Sequence, residues 1–166
     1  AFVGPIMLAG SMNMIEIVRE QQATNWFFFD QPLGAIIFYI AMLAEINRAP
    51  FDMPEAEQEL TAGYHTEYSG MKFSLFFMGE YIKMIAVSAI FSTLFLGGFD
   101  GPMVATIPAL GPLYLFLKIV ASLVLMIWIR ATWPRLRYDR LMAFGWKVLL
   151  PLALINVLIT AIMIAF

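Results

Sequence analysis

Six of the twelve acidic residues of the chain fall in one connector, residues 45–70, which separates two apolar segments. Carboxylates this dense at the boundary of an apolar phase repel one another and lose hydration, and both effects favour the protonated form. Such a group can store protons and pass them on. The connector also contains a single arginine, Arg48. Its carboxylates are Glu45, Asp52, Glu55, Glu57, Glu59 and Glu67.

The local sequence of this acidic connector predicts a short helix. Pro50 disfavours a helical conformation at the residue before it. Asp52 stands three residues before Glu55, which is the spacing of a capping box, and Pro54 is tolerated in a first helical turn. We therefore expect a helix from Met53. The alternative to a functional segment is a solvated acidic loop with a well-capped surface helix, and interleaved apolar residues, which give the segment a surface to dock, argue against it. These are Phe51, Leu60, Tyr64 and Tyr68.

The composition of the chain indicates a membrane protein, because 61% of its 166 residues are hydrophobic and only 13% are charged. A net charge of −2 offers no electrostatic footprint for nucleic acid. With no cysteine, the chain can hold neither a disulfide nor a Cys-ligated cluster, and its one histidine, His65, would make a poor metal site alone. The chain opens in apolar sequence without an initiator methionine, which predicts a fragment that lacks its N-terminal part.

The apolar segments that must position these charges are long enough to be membrane spans. A span needs about 20 mainly apolar residues, and the chain has four or five such segments. We expect an all-α, polytopic transmembrane protein that forms one membrane domain. The predicted membrane helices cover residues 1–18, 26–47, 71–97, 111–131 and 141–166.

The arginines predict the orientation of these spans. Connector 130–140 contains four arginines, whereas connector 98–110 contains no lysine or arginine. The positive-inside rule therefore places connector 130–140 in the cytoplasm, and alternation of the spans places connector 45–70 there as well. Residues 19–25 and 98–110 fall on the outer side. The acidic and basic connectors thus share a face.

Two charged residues, Glu80 and Lys83, lie inside the predicted span 71–97 at a spacing that lets them meet on one helix face. Charged side chains at membrane depth are costly and are candidates for functional sites. Lys83 needs an interior partner or a role in a proton path. The alternative is a structural pair packed against neighbouring subunits.

Two runs of the sequence carry a family resemblance. AEINRAPFDMPEAEQELTAGYHTEYSGMKFSLFFMGEY and IRATWPRLRYDRLMAFGWKVLLPLALINVL closely resemble the H subunit of bacterial respiratory complex I, the proton-pumping NADH:quinone oxidoreductase. The resemblance covers nearly all of the chain and corresponds to the C-terminal half of the family. One mild departure is Ile46, where the family often has threonine.

The resemblance implies a subunit that lines a quinone tunnel and couples quinone reduction to proton translocation. Quinone is then the substrate, no cofactor is bound covalently, and FMN and iron–sulfur clusters lie in partner subunits. The implied partners are membrane-arm subunits, iron–sulfur subunits of the peripheral arm and the lipid of a bacterial inner (plasma) membrane. Glu45, Arg48, Phe51, Asp52, Glu55, Glu57, Glu59 and Glu67 are implied for the tunnel and for proton coupling. Arg130, Arg135, Arg137, Asp139 and Arg140 are implied for docking or for the tunnel border.

Two other functions stay open at this point. The first is the membrane subunit of an energy-converting hydrogenase, which would bind no quinone. The second is a stand-alone transporter or channel, whose signature would be spans interrupted by glycine or proline at matching positions of two halves. The sequence does not indicate such interruptions.

Overall fold

The computed structural model describes residues 1–47, 50–51, 69–102, 104, 107, 109–134 and 136–165. All regular secondary structure within these ranges is helical, and three helices are long and apolar enough to cross a membrane. The expected all-α, polytopic fold is therefore confirmed. The three long helices are Met71–Phe95, Leu110–Thr132 and Asp139–Ala165.

The segment predicted as one span over residues 1–18 is occupied by two short helices, α1 (Val3–Ala9) and α2 (Met14–Ala23). Gly10 ends α1 in the left-handed conformation, with φ 64°. The side chain of Asn13 then accepts a hydrogen bond from the backbone N–H of Ile15 and caps α2. Hydropathy does not register this interruption, because local capping rather than apolarity causes it.

The second predicted span, residues 26–47, is also interrupted. A single turn, α3 (Phe27–Asp30), precedes α4 (Pro32–Glu45), and Gln31 separates the two. Proline is well suited to the first position of a helix, where its missing N–H is not needed. With 14 residues, α4 is about 21 Å long, which is shorter than a bilayer core.

The other helices are long or join into a long run. They are α5 (Met71–Phe95), α6 (Leu110–Thr132), α7 (Tyr138–Phe144) and α8 (Leu150–Ala165). A π-helical turn, Gly145–Leu149, joins α7 to α8, and the N–H of Leu150 accordingly bonds to the carbonyl of Gly145. Helix α7, the π-helical turn and α8 form one continuous helical run, which corresponds to the long helix Asp139–Ala165.

The turn after α5 depends on glycine. Gly97 and Gly98 have φ values of 73° and 51°, which side chains other than glycine rarely adopt. A Cβ on Gly97 would lie 2.9 Å from the ring of Trp26, and one on Gly98 would lie 2.8 Å from the side chain of Val18. The chain turns at this glycine cluster, and the turn lets α2 approach the end of α5.

Aromatic contacts hold α4 against α5 in the centre of the fold. The ring of Phe91 lies 6.1 Å from that of Phe38, 5.2 Å from that of Tyr39 and 5.5 Å from that of Phe95. The helix α4 also packs against α8, while α1 packs on α8 and α2 on α5. Only 11% of the most apolar stretch of each long helix is buried within the chain. Their outer faces are therefore available to lipid or to other chains.

Candidate functional site

The acidic and basic connectors meet at one end of the fold. The backbone N–H of Leu136, in the basic connector, donates a hydrogen bond of 3.0 Å to the carbonyl of Pro50. Phe51 follows directly and is 4% exposed, so it belongs to the packed part of the structure. These residues of the two connectors are therefore in direct contact, while the side of the membrane on which the connectors lie stays a prediction.

An apolar cavity of about 430 Å³ lies where the connectors meet. Helix α4 supplies one wall, and the other wall comes from the end of α6, the basic connector and α7. A cavity of this size and polarity suits a small apolar ligand. Of the described residues that line it, only Arg140 is charged, and its guanidinium can donate hydrogen bonds but cannot accept them. The lining residues are Ile40, Phe51, Trp133, Leu136, Arg140 and Phe144.

The carboxylate nearest the membrane helices, Glu45, pairs with Lys83 of α5. The ammonium nitrogen of Lys83 lies 2.9 Å from Oε1 of Glu45 and also donates a hydrogen bond of 2.6 Å to the backbone carbonyl of Glu45. That carbonyl belongs to the last turn of α4, where carbonyls lack helical partners and a positive charge is favourable. Lys83 thus has a carboxylate partner, although both side chains are exposed within this chain, and it caps α4 at the same time.

The described arginines of the basic connector face different surroundings. Arg140 borders the cavity. The Nε of Arg137 lies 3.1 Å from Oδ2 of Asp139, and both side chains are largely exposed, so this ion pair contributes little stability. Arg130 lies in the last turn of α6, where it complements the helix dipole. Arg140 is therefore the described member of the cluster in a position to meet a ligand in the cavity.

Several predictions fall on residues outside the described ranges and stay predictions. They concern the helix from Met53 and the statement that His65 alone would make a poor metal site. The site residues affected are Arg48, Asp52, Glu55, Glu57, Glu59, Glu67 and Arg135.

Sequence reasoning did not identify most of the cavity wall. Ile40, Leu136 and Phe144 are ordinary apolar residues in an apolar chain, so no local signal distinguishes them from packing residues. It also overlooked the buried amides Gln31 and Asn156, which an inspection of every polar residue within the apolar segments would have found. In the described part of the chain, no three acidic or histidine side chains converge as a metal site.

Comparison with known proteins identifies relatives along nearly the whole chain. Residues 1–161 match the family model described as NADH dehydrogenase. The NADH-quinone oxidoreductase H subunit of Protochlamydia amoebophila is 54% identical over 156 residues, which cover 94% of this chain and 46% of that protein. The H 2 subunit of the same enzyme from Cereibacter sphaeroides is 51% identical over 161 residues, which cover 97% and 49% respectively. The chain spans about half the length of the curated relatives it matches.

Proposed function

The chain belongs to the NADH dehydrogenase family and corresponds to part of the H subunit of NADH-quinone oxidoreductase, and from this premise we propose that it lines the quinone-binding tunnel and couples quinone reduction to proton translocation. The apolar cavity between the two connectors carries the proposal. It combines apolar walls with one cationic group, which are the two features that an apolar ring with polar oxygens requires.

In this proposal the quinone ring lies against Ile40, Phe51 and Phe144, which exclude water from it. The guanidinium of Arg140 donates hydrogen bonds to a quinone oxygen, and its charge stabilises the negative charge that develops as electrons arrive. The proposal assigns FMN and the iron–sulfur clusters that supply electrons to partner subunits, and it is consistent with a chain that has no cysteine to ligate a cluster.

Proton coupling is assigned to the carboxylates of connector 45–70, starting at Glu45. Reduction of the quinone changes the charge next to this connector, and carboxylates respond to added negative charge by taking up protons. Lys83 holds the Glu45 carboxylate at the end of α4, between the connector and the membrane helices. Glu80 and Lys83 then extend this series of charged groups from the connector into the span 71–97.

The location and the partners follow the same premise. We place the chain in a bacterial inner membrane, with connectors 45–70 and 130–140 on the cytoplasmic side. The connectors meet iron–sulfur subunits of the peripheral arm, and the exposed apolar faces of the long helices meet other membrane-arm subunits and lipid. A hydrogenase-type complex without quinone is the alternative, and the names of the relatives, which include quinone, favour the first assignment.

The cavity can be tested by filling it. Ile40→Trp should raise the KM for quinone about tenfold in the assembled complex, which corresponds to about 1.4 kcal/mol of lost binding, because the indole occupies the space for the ring. The measurement is quinone-dependent NADH oxidation in membranes, compared with NADH oxidation by a water-soluble artificial acceptor that bypasses the tunnel.

The matched control is Ile36→Trp, one turn away on the exposed face of α4, which should leave the KM for quinone unchanged. An unaltered KM in an assembled Ile40→Trp complex would contradict the assignment of this cavity to quinone.

A further inference from the structure

A cluster of buried polar side chains joins the N-terminal end of α4 to α8, at the other end of α4 from Glu45. Gln31, Asn156 and Thr160 are 4%, 5% and 1% exposed. The amide nitrogen of Gln31 donates a hydrogen bond of 2.8 Å to Oγ1 of Thr160. The hydroxyl of Thr160 in turn donates one of 2.8 Å to the backbone carbonyl of Asn156.

Two atoms of this cluster have no hydrogen-bond partner within the described protein. They are Oε1 of Gln31, which is an acceptor, and Nδ2 of Asn156, which is a donor. Buried polar groups are almost always hydrogen-bonded, because leaving one unpaired in an apolar environment is unfavourable. A complementary donor and acceptor left over in one cluster point to a shared partner.

Both atoms lie beside Gly34. A Cβ on this glycine would lie 3.0 Å from Nδ2 of Asn156 and 3.4 Å from Oε1 of Gln31. Nδ2 of Asn156 and Oε1 of Gln31 therefore lie on the same side of Gly34, where a residue other than glycine would carry its side chain. A water molecule with normal hydrogen bonds joins a donor and an acceptor that are up to about 5.8 Å apart.

A direct bond between the two amides is opposed by the way Gln31 is held. Its Oε1 lies against Gly4 of α1, so closely that even a Cβ there would clash with it, and its nitrogen is engaged by Thr160. Rotation of Gln31 toward Asn156 would break the bond to Thr160. A water adapts to either orientation of the Asn156 amide, because it can accept from the nitrogen or donate to the oxygen.

We propose that Gln31 and Asn156 bind one internal water molecule beside Gly34, between α4 and α8. The water accepts a hydrogen bond from Asn156 and donates one to Gln31, which are two of the two to four bonds that buried waters usually make. This site is independent of the proposed quinone function, since none of its residues lines the cavity at the connectors.

The direct test is a structure of the assembled complex at a resolution that shows ordered waters. The expected result is density within hydrogen-bonding distance of both Oε1 of Gln31 and Nδ2 of Asn156. The proposal is overturned if the two amides bond directly to each other, or if both are well defined with no density between them.

Variants provide a second test of the same site. Asn156→Leu removes the donor and Gly34→Ala adds a methyl group beside both atoms, so each should abolish the density. The control is Ile155→Leu, whose side chain is 47% exposed on the neighbouring face of α8 and which should retain the density. If Asn156→Leu prevents assembly, the Gly34→Ala structure decides, and unchanged density there would contradict the proposal.

Discussion

The two ends of the fold use similar residues in opposite ways. The connector end is where connectors 45–70 and 130–140 meet, and the turn end is the region around Gly97 and Gly98. At the connector end, Phe51, Trp133 and Arg140 surround an open cavity of about 430 Å³. At the turn end, an aromatic ring and a lysine cross-link the helices instead, beside a smaller and more polar cavity of about 290 Å³ that Trp26 and Asp100 border. The Nε1 of Trp26 donates a hydrogen bond of 3.2 Å to Asp100, and the ammonium of Lys118 lies 4.5 Å from the centre of the Trp26 ring.

Further contacts with the backbone hold the turn end together. The ammonium of Lys118 also donates a hydrogen bond of 3.1 Å to the carbonyl of Gly98, and Gly97 and Gly98 pack directly against α2 and the residues after it. The bonds of Trp26 and Lys118 also bring residue 26, which follows the segment 19–25, into contact with the segment 98–110. The predicted topology places these two segments on the same side of the membrane. We infer that the turn end holds the helices together, while the connector end keeps the larger and apolar space for a ligand.

The largest effect is expected at the turn end, from Gly97→Val. A valine there combines a strained positive φ with a clash against the Trp26 ring, which together should lower the free energy of unfolding by about 3 kcal/mol. The measurement is the temperature at which the detergent-extracted complex loses this subunit. Gly79→Val is the control, since a Cβ at Gly79 meets nothing within 4 Å of this chain. Equal thermal stability of the two variants would contradict the inference that the turn end holds the helices together.

A smaller effect with a different readout is expected at the connector end, from Lys83→Met. Loss of the ammonium removes the cap of α4 and the partner of the Glu45 carboxylate, which should lower stability by about 1.5 kcal/mol. If Glu45 takes part in coupling, the number of protons translocated per NADH oxidised should also fall.

Lys83→Arg keeps the positive charge and should restore much of both properties, whereas Lys72→Met, on an exposed position of the same helix, should change neither. A normal proton yield in an assembled Lys83→Met complex would remove Lys83 and its bond to Glu45 from the coupling path.

The smallest effect is expected from Trp26→Phe at the turn end. The change removes the hydrogen bond to Asp100 and weakens the contact of the Lys118 ammonium with the ring, so it should lower stability by about 1 kcal/mol, while quinone reduction per assembled complex stays unchanged. Trp128→Phe, at a position that is 65% exposed, is the matched control for loss of an indole. A selective loss of quinone turnover in Trp26→Phe would show that the turn end also serves the reaction.

Much of the fold follows from the sequence because membrane helices are governed by local rules. An apolar run of sufficient length must be helical in lipid, since its backbone groups find no partners there except one another. The three long spans are predictable on that basis, and the quoted motifs indicate the family. The interruptions at Gly10 and Gln31 are not predictable in this way, because hydropathy averages over the few residues that end a helix.

The site depends on contacts between residues distant in sequence. Spacing points from Lys83 to Glu80 on the same helix, whereas the structure shows an ion pair with Glu45, 38 positions away. Ile40 and Phe144 resemble every other apolar residue until α4 and α7 are brought together around a cavity. The types of residue and their local order therefore predict the class of protein and its charged segments. Only the packing of the helices decides which charges meet, which amides are left without a protein partner and where space for a ligand remains, because those properties belong to pairs of helices rather than to any one segment.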